Sequence, residues 1–256
     1  MIEKKSRAQL ETMDRANRVV RTILDELAAM VRPGATTGQL GEHSERRLRE
    51  MGAAPAFKGY PHPDGGPSFP SVLCASLNDE IVHGIPDNGR TLREGDILSL
   101  DFGACVDGFY GDAAVTVPVG RVGERAMNLI KVTRESLMAG IEQVRPGNRV
   151  RDISDAVQRH AESNGFSVVR AFVGHGIGRR LHEEPAIPNF VDQGPNPRLE
   201  DGMVLAIEPM IAAGGYDIKV DGDQWTARTR DGELSAHFEL SVAVTGDGHW
   251  ILGELV

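Results

Sequence analysis

The spacing of apolar residues divides the chain into two similar stretches. Near the start, Ala16, Val19, Val20, Ile23, Leu24, Leu27 and Val31 fall at helical intervals, which predicts an amphipathic helix stopped by Pro33-Gly34. Thr36 with Gln39 three residues on has the form of a capping box. A second helix should therefore begin at Thr36 and carry Leu40, Leu48 and Met51. Gly52 follows where a C′ glycine ends a helix. The same signals return later. Val31-Arg32-Pro33-Gly34 recurs as Val144-Arg145-Pro146-Gly147, behind a looser helical pattern of Met127, Ile130, Leu137, Ile141 and Val144. A fourth helix should begin at Asn148, carry Val150, Ile153, Val157 and Ala161, and end at Gly165.

The strand signals echo in the same order. His83-Gly84-Ile85 is matched by His175-Gly176-Ile177. The run from Leu92 through Gly95 to Asp101 is matched by the run from Leu199 through Gly202 to Glu208. Asp112 with Val115-Thr116-Val117 is matched by Glu239 with Val242-Ala243-Val244. One such echo is what recurring turn and strand signals produce in any α/β protein, but an ordered series points to internal duplication. The fold expected is α/β: two halves, residues 1 to about 120 and about 121 to 256, related by an approximate two-fold axis and sharing a sheet. No Ser- or Gly-rich linker separates them, so 1–256 reads as a single domain.

Composition narrows the class. The chain has 256 residues, 40% of them apolar and 25% charged, which suits a globular protein with a substantial core. A net charge of −9 argues against a nucleic-acid-binding surface. Two cysteines, Cys74 and Cys105, make no disulfide framework and no metal-binding pair of pairs. The first residues contain no apolar signal core, and no apolar run approaches the ~20 residues that span a bilayer. A cytoplasmic protein with no membrane partner is expected.

The duplicated acids carry the chemistry. Asp101 ends the apolar run from Ile97 and Glu208 ends the run from Val204, and such runs read as buried strands. A strand acid is ordinarily a solvated edge residue. A buried carboxylate is costly unless it is paired or binds a metal. Matching positions of a duplicated fold converge on its axis, where Asp101, Asp112, Glu208 and Glu239 would repel one another unless divalent cations held them together. Two ions about 3.5–4 Å apart are the usual arrangement for hydrolysis. His175, set between Gly174 and Gly176, has little to pack against and would complete a mixed nitrogen and oxygen shell. His83 and His182 adjoin these segments and suit substrate contact or proton transfer. His43, His62, His160, His237 and His249 read as surface or loop residues. Cys74 reads as a small buried strand residue. No GxSxG elbow, HExxH helix or P-loop is present.

Taken together, SLNDEIVHGIP, LSLDFG, DGFYGDAAVTV, GHGIGRRLHEEP, GMVLAIEPM and SAHFELSVAVT resemble the type I methionine aminopeptidases of the pita-bread metallopeptidase family. The resemblance implies a shared antiparallel sheet between the two halves. It also implies removal of the initiator methionine from nascent chains whose second residue is small, by a dinuclear metal-activated water. Carried over by motif, the metal ligands are Asp101, Asp112, His175, Glu208 and Glu239, with Asp112 and Glu239 bridging. Glu208 would shuttle the proton, His182 would steady the oxyanion, and His83 would touch substrate near the scissile amide. Phe57, Tyr60, Phe69, Cys74 and Trp225 match positions around the methionine side chain. The cofactors implied are two divalent ions (Co, Mn, Fe, Zn or Ni). The partners implied are N-terminal methionyl peptides and, transiently, the ribosome, with the enzyme a monomer. Related prolidases and creatinases carry an extra N-terminal domain, for which this chain has no room. The other rival is a binding module that kept the fold and lost catalysis, and such proteins usually lose metal ligands. Departures from the family pattern are an insertion at Pro61 to Pro67, Leu181 for an aromatic, His237 for Gln, and Leu240-Ser241 for His-Thr. They bear on pocket shape and substrate preference.

Overall fold

A computed structural model describes residues 2–254. The chain runs α1 (Arg7–Met30), α2 (Thr37–Glu50), β1 (Ala54–Pro55), β2 (Leu73–Leu77), β3 (Glu80–Val82), β4 (Ile97–Val106) and β5 (Phe109–Pro118). It continues with α3 (Glu124–Ile141), α4 (Val150–Ser163), β6 (Ser167–Val168), β7 (Gly174–Gly176), β8 (Glu183–Ile187), β9 (Val204–Ile207) and β10 (Met210–Ala212). The last strands are β11 (Ile218–Val220), β12 (Ala227–Thr229), β13 (Ser235–His237), β14 (Glu239–Thr245) and β15 (Gly248–Ile251).

The helices begin and end where local chemistry directs. The Thr36 side chain accepts from the Gln39 amide, while Gln39 reaches back to the Thr36 amide, so two otherwise orphaned donors are satisfied. Gly52 and Gly165 take left-handed conformations just past α2 and α4. The second half departs slightly from expectation. The fourth helix starts after Arg149 rather than at Asn148, because the Asp152 carboxylate accepts from the Arg149 amide. Val144 lies beyond the end of α3, yet it is fully buried in the same core.

One antiparallel sheet crosses the molecule in the order β1-β4-β5-β14-β9-β7-β8, with β2 also on β4 and β15 also on β14. Its centre is the β5–β14 pair, where Glu239 faces Ala114 and Leu240 faces Ala113. The mixed architecture with a shared antiparallel sheet is the one the sequence predicts. Side chains alternate across a sheet, and the register fixes which residues share a face. Leu73, Phe102, Leu100, Ala113, Ile207, Leu240 and Val242 point one way. On that side α1 and α2 cover the β2–β4–β5 end through Val20, Ile23, Leu24, Leu27 and Leu40. The α3–α4 pair covers the β9–β14 end through Leu137, Ile141, Ile153 and Val157.

The opposite face holds the acids. Cys74 pairs with Asp101, Asp101 with Ala114, and Ala114 with Glu239, a single row across four strands. Asp112 is two residues from Ala114, and Ser241 is two residues from Glu239. Ser241 pairs with Ala206, and Ala206 with His175. Asp101 is therefore not the end of its strand: β4 continues to Val106 because the hairpin with β5 pairs without a break to Val106–Phe109.

Helix α1 presses on this region at Gly111. A Cβ at Gly111 would lie 2.7 Å from the Asn17 backbone nitrogen and 2.8 Å from the Ala16 carbonyl carbon. Both are helix backbone atoms that cannot swing aside. Gly111→Ala should therefore destabilise the protein by about 1–3 kcal/mol through overpacking. Urea unfolding would show this as a lower midpoint at unchanged slope.

Candidate metal centre and substrate cavity

A cavity of about 590 Å³ opens on the acid-bearing face. Asp101, Asp112, His175, Glu208 and Glu239 lie in its wall together with His83 and His182, and so do Phe57, Tyr60, Phe69, Cys74 and Trp225. The residues given a metal, catalytic or pocket role in the sequence are thus brought to one place. Asp101 and Asp112 come from neighbouring strands of the first half, Glu239 from the first residue of β14, and Glu208 from just past β9. His175 sits in β7, where Gly174 and Gly176 let adjacent backbone close in. A Cβ on either would fall within 2.4 Å of a carbonyl oxygen.

The electrostatics of the acids are unfavourable in the polypeptide alone. Burial pushes the Asp101 carboxyl up to about 7. Burial, and then repulsion from their neighbours, holds Asp112, Glu208 and Glu239 well above the carboxylate range. Asp101 Oδ1, Asp112 Oδ1 and Glu239 Oε1 are buried without a hydrogen-bond partner among the described residues. Ligand atoms of Asp112, His175 and Glu239 lie within 4.8 Å of one another, as do those of Glu208, His237 and Glu239. Two triads sharing one carboxylate, rich in oxygen and completed by imidazole, fit divalent cations of the Mn, Fe, Co and Zn kind. His175 is prepared for such a role. Its Nδ1 bonds the Gly176 carbonyl at 2.9 Å, which leaves Nε2 free, 3.5 Å from Glu208 Oε1. Burial lowers its pKa to about 3, so it stays neutral.

The remaining histidines flank the acids. His83 takes a left-handed backbone (φ 62°), a strained conformation for this residue type. Its ring meets Phe172 and Trp225 edge-on at 5.5 and 6.0 Å. Burial lowers its pKa to about 4. His182 stacks edgewise on His175 at 4.2 Å and shares a 2.6 Å hydrogen bond with the Tyr60 hydroxyl through Nδ1. The turn carrying His182 is clamped from behind. The buried Glu183 carboxylate takes the Lys5 ammonium at 2.6 Å and the Arg180 amide at 3.1 Å. Burial, and then the nearby Asp101, push the Cys74 thiol well up, which favours the thiol over the thiolate.

The sequence reading needs correction at two positions. His237 is not a surface residue: it is 1% exposed and points at Glu208, with Nε2 3.7 Å from Oε2. Period-two alternation back from Glu239 was the available signal. Leu240 lies on the helix-covered face, against Ile207 and Ala113, so it does not shape the cavity. Phe172 went unrecognised, since nothing in its local sequence marks it. The 61–67 insertion does reach the cavity: Pro61, His62 and Pro63 line it. His62 meets Trp225 edge-on at 5.0 Å and bonds the Gln224 carbonyl, while Trp225 Nε1 donates to the Pro67 carbonyl at 2.8 Å.

Comparison with known proteins agrees with this geometry. Residues 11–246 match the model of metallopeptidase family M24. A methionine aminopeptidase of Clostridium acetobutylicum is 45% identical over 252 residues, covering 98% of each chain. The crystal structure of a methionine aminopeptidase from Thermotoga maritima superposes with a TM-score of 0.94 at 42% identity, covering 100% of both chains. A prolidase from Pyrococcus furiosus shares the fold alone, at 18% identity and a TM-score of 0.77, over 99% of this chain and 66% of that one.

Two predictions follow from the buried charges. Lys5→Met leaves Glu183 buried without its cation and should cost about 3–5 kcal/mol of stability, read by denaturant unfolding. The acids give a pH signature in metal-free protein. Groups with raised folded pKa stabilise at low pH, and that stability is lost as pH rises through the folded value. His83, His175 and His237 act oppositely, losing stability as pH falls through their ordinary 6.5. Asp101 titrates in the fold at about 7, and Asp112, Glu208 and Glu239 extend the same trend to higher pH. The melting temperature of chelator-treated protein should therefore fall as pH rises above neutrality, and saturating divalent cation should weaken that slope.

Proposed function

The chain belongs to metallopeptidase family M24, and from that premise we propose that it removes the N-terminal methionine of newly made proteins whose second residue is small. It is a metal-dependent aminopeptidase of the pita-bread fold, like relatives matching along almost the whole length of both chains. The observation that carries the reading is the meeting of four carboxylates, those of Asp112 and Glu239 buried and those of Asp101 and Glu208 partly so, with a free imidazole nitrogen on the floor of a largely apolar cavity.

In this reading Asp101, Asp112, His175, Glu208 and Glu239 would hold two divalent ions, drawn from Co, Mn, Fe, Zn or Ni, and Asp112 and Glu239 would be the residues shared between them. When bound, such ions supply Lewis acidity that polarises the scissile carbonyl and lowers the pKa of water toward neutrality. The residues around them do the rest. Glu208, whose burial favours the protonated form, accepts the proton of the attacking water and returns it to the leaving amine. Tyr60, kept protonated by burial, donates to His182 Nδ1. The imidazole proton is then on Nε2, facing the cavity as a donor to the developing oxyanion. His83 is neutral and contacts substrate beside the scissile amide. Phe57, Tyr60, Phe69, Cys74 and Trp225 surround the methionine side chain, a largely apolar wall suited to a flexible thioether.

We place the catalytic unit in a single domain, 1–256, with halves about 1–120 and 121–256. It works as a monomer in the cytoplasm and associates transiently with the ribosome. No helix among the described residues is long and apolar enough to cross a membrane, and Cys74 and Cys105 are unpaired.

Purified protein with Mn²⁺, Co²⁺ or Fe²⁺ should release methionine from Met-Gly and Met-Ala peptides and leave N-formylated peptides and X-Pro dipeptides intact. Turnover of X-Pro dipeptides in place of methionyl peptides would overturn the assignment, as would full metal occupancy without turnover. Asp112→Asn or Glu239→Gln should lower kcat/KM at least about a hundredfold. His182→Ala should lower kcat by about 10²–10³-fold with little change in KM.

A further inference from the structure

His237 is absent from the ligand set above, yet its surroundings are those of a ligand. It lies in β13, two residues before Glu239, and is 1% exposed. Neither Nδ1 nor Nε2 has a hydrogen-bond partner among the described residues. A histidine buried for packing ordinarily satisfies at least one ring nitrogen. Here Nε2 instead lies 3.7 Å from Glu208 Oε2, and a ring nitrogen falls within 4.8 Å of carboxylate oxygens of both Glu208 and Glu239.

The backbone that presents the ring is fixed. The His237 amide donates to Thr116 Oγ1 at 2.8 Å, and the Thr116 hydroxyl donates to the His237 carbonyl at 2.8 Å. Ser99 Oγ lies 2.8 Å from the same Thr116 hydroxyl. One threonine on β5 thus holds both polar groups of the His237 peptide backbone. At the neighbouring position of the main sheet, Ser241 Oγ donates to the Asp112 carbonyl at 2.9 Å. A ring presented from a backbone anchored at both polar groups, with both nitrogens bare and two carboxylates within reach, is placed to complete a coordination shell.

We propose that His237 is a sixth side-chain ligand, adding a second imidazole to the cation shared by Glu208 and Glu239. The inference rests on the metal centre of the preceding reading. It makes that centre richer in nitrogen than five ligands with one histidine. Imidazole suits Zn, Co, Ni and Fe, whereas oxygen donors suit Mn and Mg, so His237 tilts the site toward the former group. Glutamine, an uncharged amide, would not supply that donor.

Crystals of the wild-type protein loaded with Zn²⁺, with the ions located by anomalous scattering, test this directly. The expected result is a His237 nitrogen about 2.1 Å from the ion between Glu208 and Glu239. If both His237 nitrogens lie more than about 3 Å from every ion held by the acids, where a Zn–N bond is about 2.1 Å, the inference fails while the metal centre stands. If no ion binds among the four acids, the metal centre itself fails. Calorimetric titration with Co²⁺ gives a readout independent of turnover. His237→Gln should weaken one site at least about tenfold and narrow the preference for Co²⁺ over Mn²⁺. Unchanged Co²⁺ affinity in His237→Gln overturns the inference. Circular dichroism of the metal-free variant checks its fold, and His237→Asn replaces it if it does not fold.

Discussion

Asp101, Asp112, Glu208 and Glu239 line one cavity, Asp112 and Glu239 buried and Asp101 and Glu208 partly so, where a carboxylate leaving water loses several kcal/mol of solvation and then faces like charges. Everything around the cavity answers that constraint. The acids stand on four separate chain segments set by antiparallel pairings: Asp101, Asp112 and Glu239 within ladders, and Glu208 directly after the β9 ladder residue Ile207. The residues beside them on the same face, Ala114, Ala206 and Ser241, are small, which leaves room between the carboxylates. The bulky strand residues Leu73, Leu100, Phe102, Ile207, Leu240 and Val242 are turned to the opposite face, where two helix pairs cover them. Alternation of a strand is what makes both arrangements possible in the same few residues.

The histidines occupy a second ring with a different physical state. Burial depresses His83, His175 and His237 toward about 4, 3 and 3, so they meet substrate or cation as neutral rings. Neutral rings add no charge to a site whose balance is set by acids and cations. Their orientation comes from neighbours: the Gly176 carbonyl for His175, Tyr60 for His182, Thr116 for the His237 backbone. The two walls of the cavity are made differently. One is the rigid sheet. The other is a pair of loops, 61–67 and 221–226, joined through His62, Trp225 and Pro67.

Much of this was legible in the amino-acid order because duplication repeats a pattern where chance does not. The matched runs ending at Asp101 and Glu208, and the matched Asp112 and Glu239, mark the floor of the cavity in the amino-acid order itself. Thr36 and Gln39 fixed a helix start through purely local hydrogen bonds. What escaped was set by distant pairing. Asp101 lies inside its strand because β5 extends the hairpin past it. Leu240 faces the helices because register with Ile207 and Ala113 puts it there. His237 escaped because the chain changes sheets at Phe238, from β13 to β14, where alternation is hardest to follow.

The ends of the chain are tied into the same assembly, with a consequence for the order in which it forms. Lys5 joins Glu183 across 178 residues, and the Gly253 amide donates to Asp14 across 239. Glu239, whose carboxylate lies close to both Asp112 and Glu208, belongs to a strand that completes the sheet between β5 and β9. During synthesis the first half can emerge and fold its hairpin and helices, but its acids have no partners until nearly the whole chain has left the ribosome. Contacts of such sequence separation close slowly. A shortened chain lacking β14 would keep both helix pairs and the β4–β5 hairpin, and it would expose the β5 and β9 edges that Glu239 and its neighbours normally seal.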